Sequence, residues 1–259
     1  MPTINNEWYE ENAEQWWEEG SLMSILQSLN PGRLTYLDEI MAGQSLKAAE
    51  THILDIGCGG GYMTEELAKK GFVVSGVDPS PGSVASAKRH AQEVGLNVEY
   101  KVGRGEDLPF EDRQFDMVSC CDVLEHVSDL PKVISEISRV LKPDGIFFYD
   151  TINRTALSWL LLIKLAQDLP LVRMVPKDTH VWKMFIEPTR LSSIMRNVGL
   201  VPQSECGLGP QKWWGALPQL LKYKLGMSSP TEMGHSLMIG PVRNKSLLYM
   251  GWSNKSAWA

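Results

Sequence analysis

The sequence predicts an α/β fold, a mostly parallel sheet of seven strands with helices on both faces. Three observations carry the prediction. Short apolar runs alternate with segments of helical length from His52 to Thr151, the rhythm of parallel β-α units. A glycine-rich run, "GCGGG" (Gly57 to Gly61), follows the first apolar run and opens the first helical one. With 259 residues, 43% hydrophobic and 22% charged, the chain can bury one large core and has the composition of an ordinary globular protein.

In chain order, "HILDI" is the first strand and "YMTEELAKKG" the helix after it, closed by Gly71. "FVVSGVD" is the second strand, "SVASAKRHAQEVG" a helix and "VEYKV" the third strand. "FDMVSCC" is the fourth, "DLPKVISEISRVLK" its helix and "GIFFYDT" the fifth. Beyond Asn153 the alternation breaks. "EPTRLSSIMRNVG" reads as a helix with Pro188 near its start and Gly199 at its C-cap, while "LVPQSEC" and "SLLYMGW" supply the sixth and seventh strands. Gly207 to Gly240 show no period, and the N-terminal segment reads as helical, with "NPGR" punctuating two helices. The chain therefore divides into a helical cap (1–50), a binding core (51–153), an apolar insertion (154–185) and the rest of the same domain (186–259).

A formal charge of -6 and the lack of Lys/Arg clusters exclude a nucleic-acid backbone as the main partner. The 4 cysteines show no C-x-x-C spacing, which points to reduced thiols in a cytoplasmic setting. The N-terminus, "MPTINNEWYEENAEQWWEEG", is acidic and matches neither a signal peptide nor an Arg-rich transit peptide. The longest apolar stretch, "ALSWLLLIKLAQDLPLVRMV" (Ala156 to Val175), is broken by Lys164, Gln167, Asp168, Pro170 and Arg173. A membrane span needs roughly 20 predominantly apolar residues, so this segment does not cross a bilayer. As a helix it gathers Lys164, Gln167 and Asp168 on one narrow face and Leu161, Leu162, Leu165 and Leu169 on a broad apolar one. That suits either peripheral contact with a membrane surface or a helix covering the sheet or a subunit interface.

Ligands of open α/β sheets sit at the carboxyl ends of the strands, beside the point where strand order reverses. There Gly57, Gly59 and Gly61 let the backbone approach a ligand closely, and Asp78, ending the second strand, can accept from a ribose. The dinucleotide fingerprint G-x-G-x-x-G would place its third glycine at Tyr62, which argues against NAD. Asp55 with alternating glycines, D-x-G-x-G-x-G, followed by a strand-end acid, is instead the S-adenosylmethionine pattern of Rossmann-like class I methyltransferases. Asp107 in "GEDLPF" follows the third strand, where such enzymes hold the adenine amino group. The plain alternative is a glycine turn with satisfied surface acids.

Within that superfamily the chain resembles the ubiquinone-biosynthesis O-methyltransferases, which methylate a ring hydroxyl of a polyprenylated phenol or catechol. The likeness runs through "AEQWWEEGSLMSILQSLNPGRLTYL", "LDIGCGGG", "CCDVLEHVSD" and "TINRTALSWLLLIKLAQDLPLVRMVPKDTHVWKMFIEP", and thins after Gly207. It implies cofactor contacts from Arg33, Gly57, Asp78 and Cys121, the last standing where a methionine is expected. Arg33 suits the methionine carboxylate, because a guanidinium binds carboxylates bidentately. The family's metal-linked run is E-x-x-E-H against "DVLEH" here. A divalent ion such as Mg²⁺ on Asp122, Glu125 and His126 would therefore have to reach an acid one methylene shorter. The implied methyl acceptor is a hydrophobic small molecule, and the oligomeric state is left open.

Apart from the resemblance, "CCDVLEHVSD" is open to three readings: a catalytic base, a metal site, or a strand-exit loop closed by its own polar groups. Asp122, Glu125 and His126 at i, i+3, i+4 share one side of a helical turn if one forms there. A phenol pKa near ~10 leaves little oxyanion at neutral pH. A base such as His126 or Glu125 would take the proton in the transition state, and a cation would lower that pKa. His180 in "KDTH" is the second base candidate, against a loop-anchoring role. Rival functions are methylation of another small metabolite, at oxygen or nitrogen, and non-catalytic cofactor binding.

Overall fold

The computed structural model describes residues 6–44, 46–170, 173, 175–211 and 216–257. Its strands are β1 (His52–Ile56), β2 (Val73–Asp78), β3 (Glu99–Val102), β4 (Phe115–Cys121), β5 (Leu141–Ile152), β6 (Leu200–Pro210), β7 (Ile239–Val242) and β8 (Leu248–Lys255). Before β1 come α1 (Glu7–Glu11), a 3₁₀ turn (Ala13–Trp17), α2 (Ser24–Gln27) and α3 (Asn30–Ala42), whose first turn carries Pro31. The core helices are α4 (Tyr62–Lys69), α5 (Pro81–Glu93) and α6 (Leu130–Val140). After β5 follow α7 (Ala156–Ser158), a π-helix (Trp159–Asp168), α8 (Pro188–Asn197), α9 (Ala216–Lys224) and α10 (Pro230–Ser236).

Neighbouring strand residues face opposite sides of a sheet, so Ile53 and Leu54 enter different cores, as do Phe147 and Phe148. Leu54 and Phe147 pack with α6 and α8 residues such as Ile134, Ile137 and Leu191; Ile53 and Phe148 pack with Leu37 of α3 and Leu67 of α4. Burying one such side chain fully stabilises the fold by roughly 1.5–3 kcal/mol. Both faces of the parallel strands are thereby covered, as parallel sheets require.

The strand order is β3-β2-β1-β4-β5-β8-β6-β7, giving eight strands against the seven expected. The added strand, β7, begins at the end of the stretch without a period; its sequence "IGPV" pairs antiparallel with β6 at the sheet edge. Strands β1 to β5 are parallel, and β8 enters antiparallel between β5 and β6. Strand order reverses at β1, which lies between β2 and β4, and Ile56 is level with both Val77 and Cys120. The register therefore delivers the glycine loop, Asp78 and Cys121 side by side.

The apolar insertion departs from its expected facing. Its π-winding, a geometry common at functional sites, turns Gln167 inward with Ile163, both buried. Trp159, Leu160, Leu165 and Leu169 are exposed instead, and Leu161 and Leu162 are half-buried. An α-helical wheel places these residues wrongly because the i→i+5 winding changes the angular step between them. Leu171, Val172 and Met174 of that stretch lie outside the described residues. Among the described residues, no helix is long and apolar enough to cross a membrane.

Candidate active site

A cavity of about 400 Å³ opens at the reversal point, walled by Gly57, Asp78, Arg33, Cys121, Asp122 and His126. The glycine loop is built for close approach. Gly57 sits at φ +69°, and a Cβ there would lie 2.2 Å from Val123 Cγ2; Gly61 opens α4 at φ +95°. Asp55, which is 2% exposed, accepts hydrogen bonds from Ser119 Oγ and Thr64 Oγ1, both at 2.6 Å. It thus pins the loop between β4 and α4, and burial raises its pKa.

Asp78 accepts from the backbone N–H of Gly59 and of Ser80, each at 2.9 Å, which leaves lone pairs free toward the cavity. Burial, against the pull of those two N–H groups, pushes its pKa up to about 6. An acid with a raised pKa gains its charge only at higher pH, so a ligand that donates to the carboxylate loses a partner as the pH falls through about 6. S-adenosylhomocysteine affinity should therefore decline below about pH 6. Asp78→Asn should flatten that dependence and cost roughly tenfold or more at pH 7.5. Calorimetry across the pH range checks this, and an unchanged profile in the variant would remove Asp78 from the site.

The N-terminal segment lines the cavity through contacts that the sequence pattern did not reveal. The Trp16 ring lies where Cβ atoms on Gly59 and Gly60 would stand, its Nε1 donates to Ser83 Oγ at 2.9 Å, and its carbonyl accepts from the Tyr62 hydroxyl. Trp17 Nε1 donates to the Gly60 carbonyl at 2.8 Å, and the ring stacks on His90 at 3.4 Å. Glu10 accepts from Gly82 N–H at 2.9 Å at the start of α5. The doubled tryptophan "WW" beside acidic residues was the available signal. Tyr62, which replaces the third glycine of a dinucleotide fingerprint, is thus an anchor for this cover.

Arg33 is 4% exposed, and its guanidinium forks onto Asp150, with Nε to Oδ2 at 2.6 Å and Nη2 to Oδ1 at 3.2 Å. Nη1 donates to Asn30 Oδ1 at 3.1 Å, and Nη2 also pairs with Asp122 Oδ2. Burial opposes the arginine's charge, yet Asp122 and Asp150 outweigh it and raise its pKa. Asp150 ends the apolar run of β5 and was not singled out; a carboxylate inside "IFFYDTI" was the signal that it needs a buried cation.

His126 keeps a partly exposed edge on the cavity, while its Nδ1 is buried without a partner. Its ring centroid lies 5.4 Å from that of His180, whose Nδ1 is likewise buried and unpartnered. Burial lowers both imidazoles, to about 3 for His126 and about 4 for His180, and the Asp122 charge acts against it in both. Both rings are neutral at pH 7 and free to accept a proton. Gln167 holds His180 in place by its backbone, accepting from its N–H at 2.8 Å and donating to its carbonyl at 3.2 Å. Glu125 is 1% exposed and away from the cavity wall, with Thr151 Oγ1 donating to it at 2.7 Å. Asp107 is exposed and off the wall; Glu106, one residue earlier, is on it.

A family described as "Methyltransferase domain" matches residues 54–149. The "Ubiquinone biosynthesis O-methyltransferase" of Xanthomonas axonopodis pv. citri is 35% identical over 224 residues, 86% of this chain and 87% of that one. The protein of the same name from Saccharophagus degradans is 36% identical over 201 residues, 77% and 82% of the two chains. The chain belongs to the ubiquinone biosynthesis O-methyltransferase family. Among solved structures, a "SAM dependent methyltransferase from Aquifex aeolicus" superposes with a TM-score of 0.56 at 15% identity, over 91% of this chain and 98% of that one, a likeness of fold.

As a member of this family the protein is an S-adenosylmethionine-dependent methyltransferase, and its cavity fits that cofactor. Gly57 lines it with backbone alone, Asp78 offers a carboxylate, and Arg33 lies on the same wall. The residues do not fit a divalent ion. In this structure Asp122 pairs with Arg33, and Glu125 accepts from Thr151 away from the cavity wall. Burial and the neighbouring Asp122 charge push Glu125 up to about 8. Among the described residues, no three His, Cys, Asp or Glu side chains form a group that could hold a metal.

Proposed function

We propose that the protein methylates a ring hydroxyl of a hydrophobic phenol or catechol carrying a polyprenyl chain, a precursor of ubiquinone. The observation that carries this reading is the 35% identity to a ubiquinone biosynthesis O-methyltransferase over 86% of the chain, joined to His126, a neutral imidazole with one edge on the wall of the cofactor cavity. S-adenosylmethionine supplies an electrophilic methyl group on a sulfonium. Bound there, it would give that methyl to the hydroxyl oxygen and leave as S-adenosylhomocysteine, and His126 would take the hydroxyl proton. His180 backs His126 at 5.4 Å, and Gln167 positions His180. Asp78 receives the ribose and Arg33 the methionine carboxylate. Mass spectrometry of the product from a polyprenyl catechol should place the methyl on oxygen; methylation of an offered amine in its place would refute the reading.

A prenylated acceptor resides in a bilayer, and the exposed Trp159, Leu160 and Leu165 on the π-helix, with Leu169 just past its end, suit insertion at the headgroup boundary. Peripheral binding to anionic liposomes follows from this reading. Leu160→Glu with Leu165→Glu should reduce co-sedimentation by about tenfold while S-adenosylhomocysteine binding persists. Absence of co-sedimentation by the unaltered protein would point to a substrate taken from solution.

A further inference from the structure

The hydrogen-bond inventory of Arg33 leaves a cofactor carboxylate no complete site. A guanidinium has five N–H donors. Asp150 takes two of Arg33's, Asn30 one and Asp122 one, so a single Nη1–H remains. Two-point binding of a further carboxylate needs an Nη2–H as well, and the one facing the cavity is held by Asp122. The two acidic partners are not equivalent. Asp150 is fully buried, bonded twice to the arginine, and also accepts the Asp122 backbone N–H at 3.0 Å. Asp122 is 19% exposed, stands on the cavity wall, and sits at φ +55°, a conformation uncommon for residues other than glycine.

We propose that Asp122 is a stand-in carboxylate, holding the Arg33 Nη2 position that the cofactor's methionine carboxylate takes over, so that cofactor binding releases Asp122 toward His126 and His180. This rests on the reading of Arg33 as the carboxylate site. Released, Asp122 is no longer neutralised by the guanidinium, and its charge acts on His126, with which it shares the cavity wall, and through it on the His180 ring 5.4 Å beyond. Cofactor arrival would then prepare the base, and methyl acceptors would react in cofactor-first order.

The test compares S-adenosylhomocysteine with 5′-methylthioadenosine, the same nucleoside thioether without the amino-acid end. Asn accepts positive φ, so Asp122→Asn keeps the local backbone while removing the competing charge. Calorimetry should show S-adenosylhomocysteine binding about tenfold more tightly to Asp122→Asn than to the unaltered protein, with methylthioadenosine affinity unchanged. Equal or weaker S-adenosylhomocysteine binding, or an equal change for both ligands, overturns the proposal. Arg33→Lys separates the two levels. If it costs S-adenosylhomocysteine no more than methylthioadenosine, the assignment of Arg33 itself fails. A crystal structure with S-adenosylhomocysteine gives a second readout on the unaltered chain. Arg33 bound to the ligand carboxylate with Asp122 turned away is expected, and both carboxylates on Nη2 together would contradict it.

Discussion

Replacing His126 by glutamine should lower kcat for methyl transfer by roughly 10²–10⁴-fold, the range set by loss of a general base. S-adenosylhomocysteine affinity should stay within about threefold, because the contacts assigned to the cofactor come from Asp78, Arg33 and the glycine loop. A phenolic hydroxyl with a pKa near ~10 is almost wholly protonated at pH 7, so its oxygen must shed the proton as it attacks. Only an unprotonated base can receive it, and the burial that lowers His126 to about 3 keeps the imidazole unprotonated. The same burial weakens it as a base, and the Asp122 charge works in the opposite direction. A kcat near that of the unaltered enzyme would leave His126 as a loop-closing residue.

Arg33→Met should be the most destabilising single change at the site. It would strand the buried Asp150 and remove the partner of Asp122, and breaking a buried ion pair from one side costs roughly 3–5 kcal/mol. For a chain of this size that is a fall in Tm of about 6–20 °C. Burial already pushes Asp150 up to about 6 against the attraction of Arg33, so without the guanidinium it would fold as the neutral acid. Asp150→Asn in the same chain should therefore recover a large part of the loss, a coupling expected of residues in direct contact. Thermal unfolding of the single and double variants measures it. A Tm shift below about 2 °C in Arg33→Met would show that the pair contributes little.

What was legible in the sequence was local. The glycine loop, Asp78 at the end of β2 and the alternation through β5 are patterns within a few residues, fixed by backbone geometry and burial. Asp55 was legible as part of the motif, but its role as a clamp on Ser119 and Thr64 was not, since Ser119 lies 64 residues away. Arg33 was found through resemblance, whereas its pairing with Asp150 spans 117 residues and required the sheet to exist first. The spacing of Asp122, Glu125 and His126 suggested one shared site. The 3₁₀ turn Leu124–His126 instead sends Asp122 to Arg33 and Glu125 to Thr151, and leaves His126 on the cavity wall. Gln167 was assigned to a polar outer face because helical periodicity assumes α-winding. Asp107 was taken for the adenine side, and the turn after β3 puts Glu106 on the wall in its place.

The central claim, methyl transfer from S-adenosylmethionine to the hydroxyl of a polyprenylated catechol, is tested most directly by offering a labelled methyl donor to matched acceptors. The panel is a polyprenyl catechol, the same ring without its chain, and an aromatic amine. Each buried methylene of the chain adds roughly 0.8 kcal/mol, so kcat/KM for the prenylated ring should exceed that of the bare ring by more than about tenfold, with no label on the amine. Label on the amine alone, or equal turnover of both rings, would contradict the account.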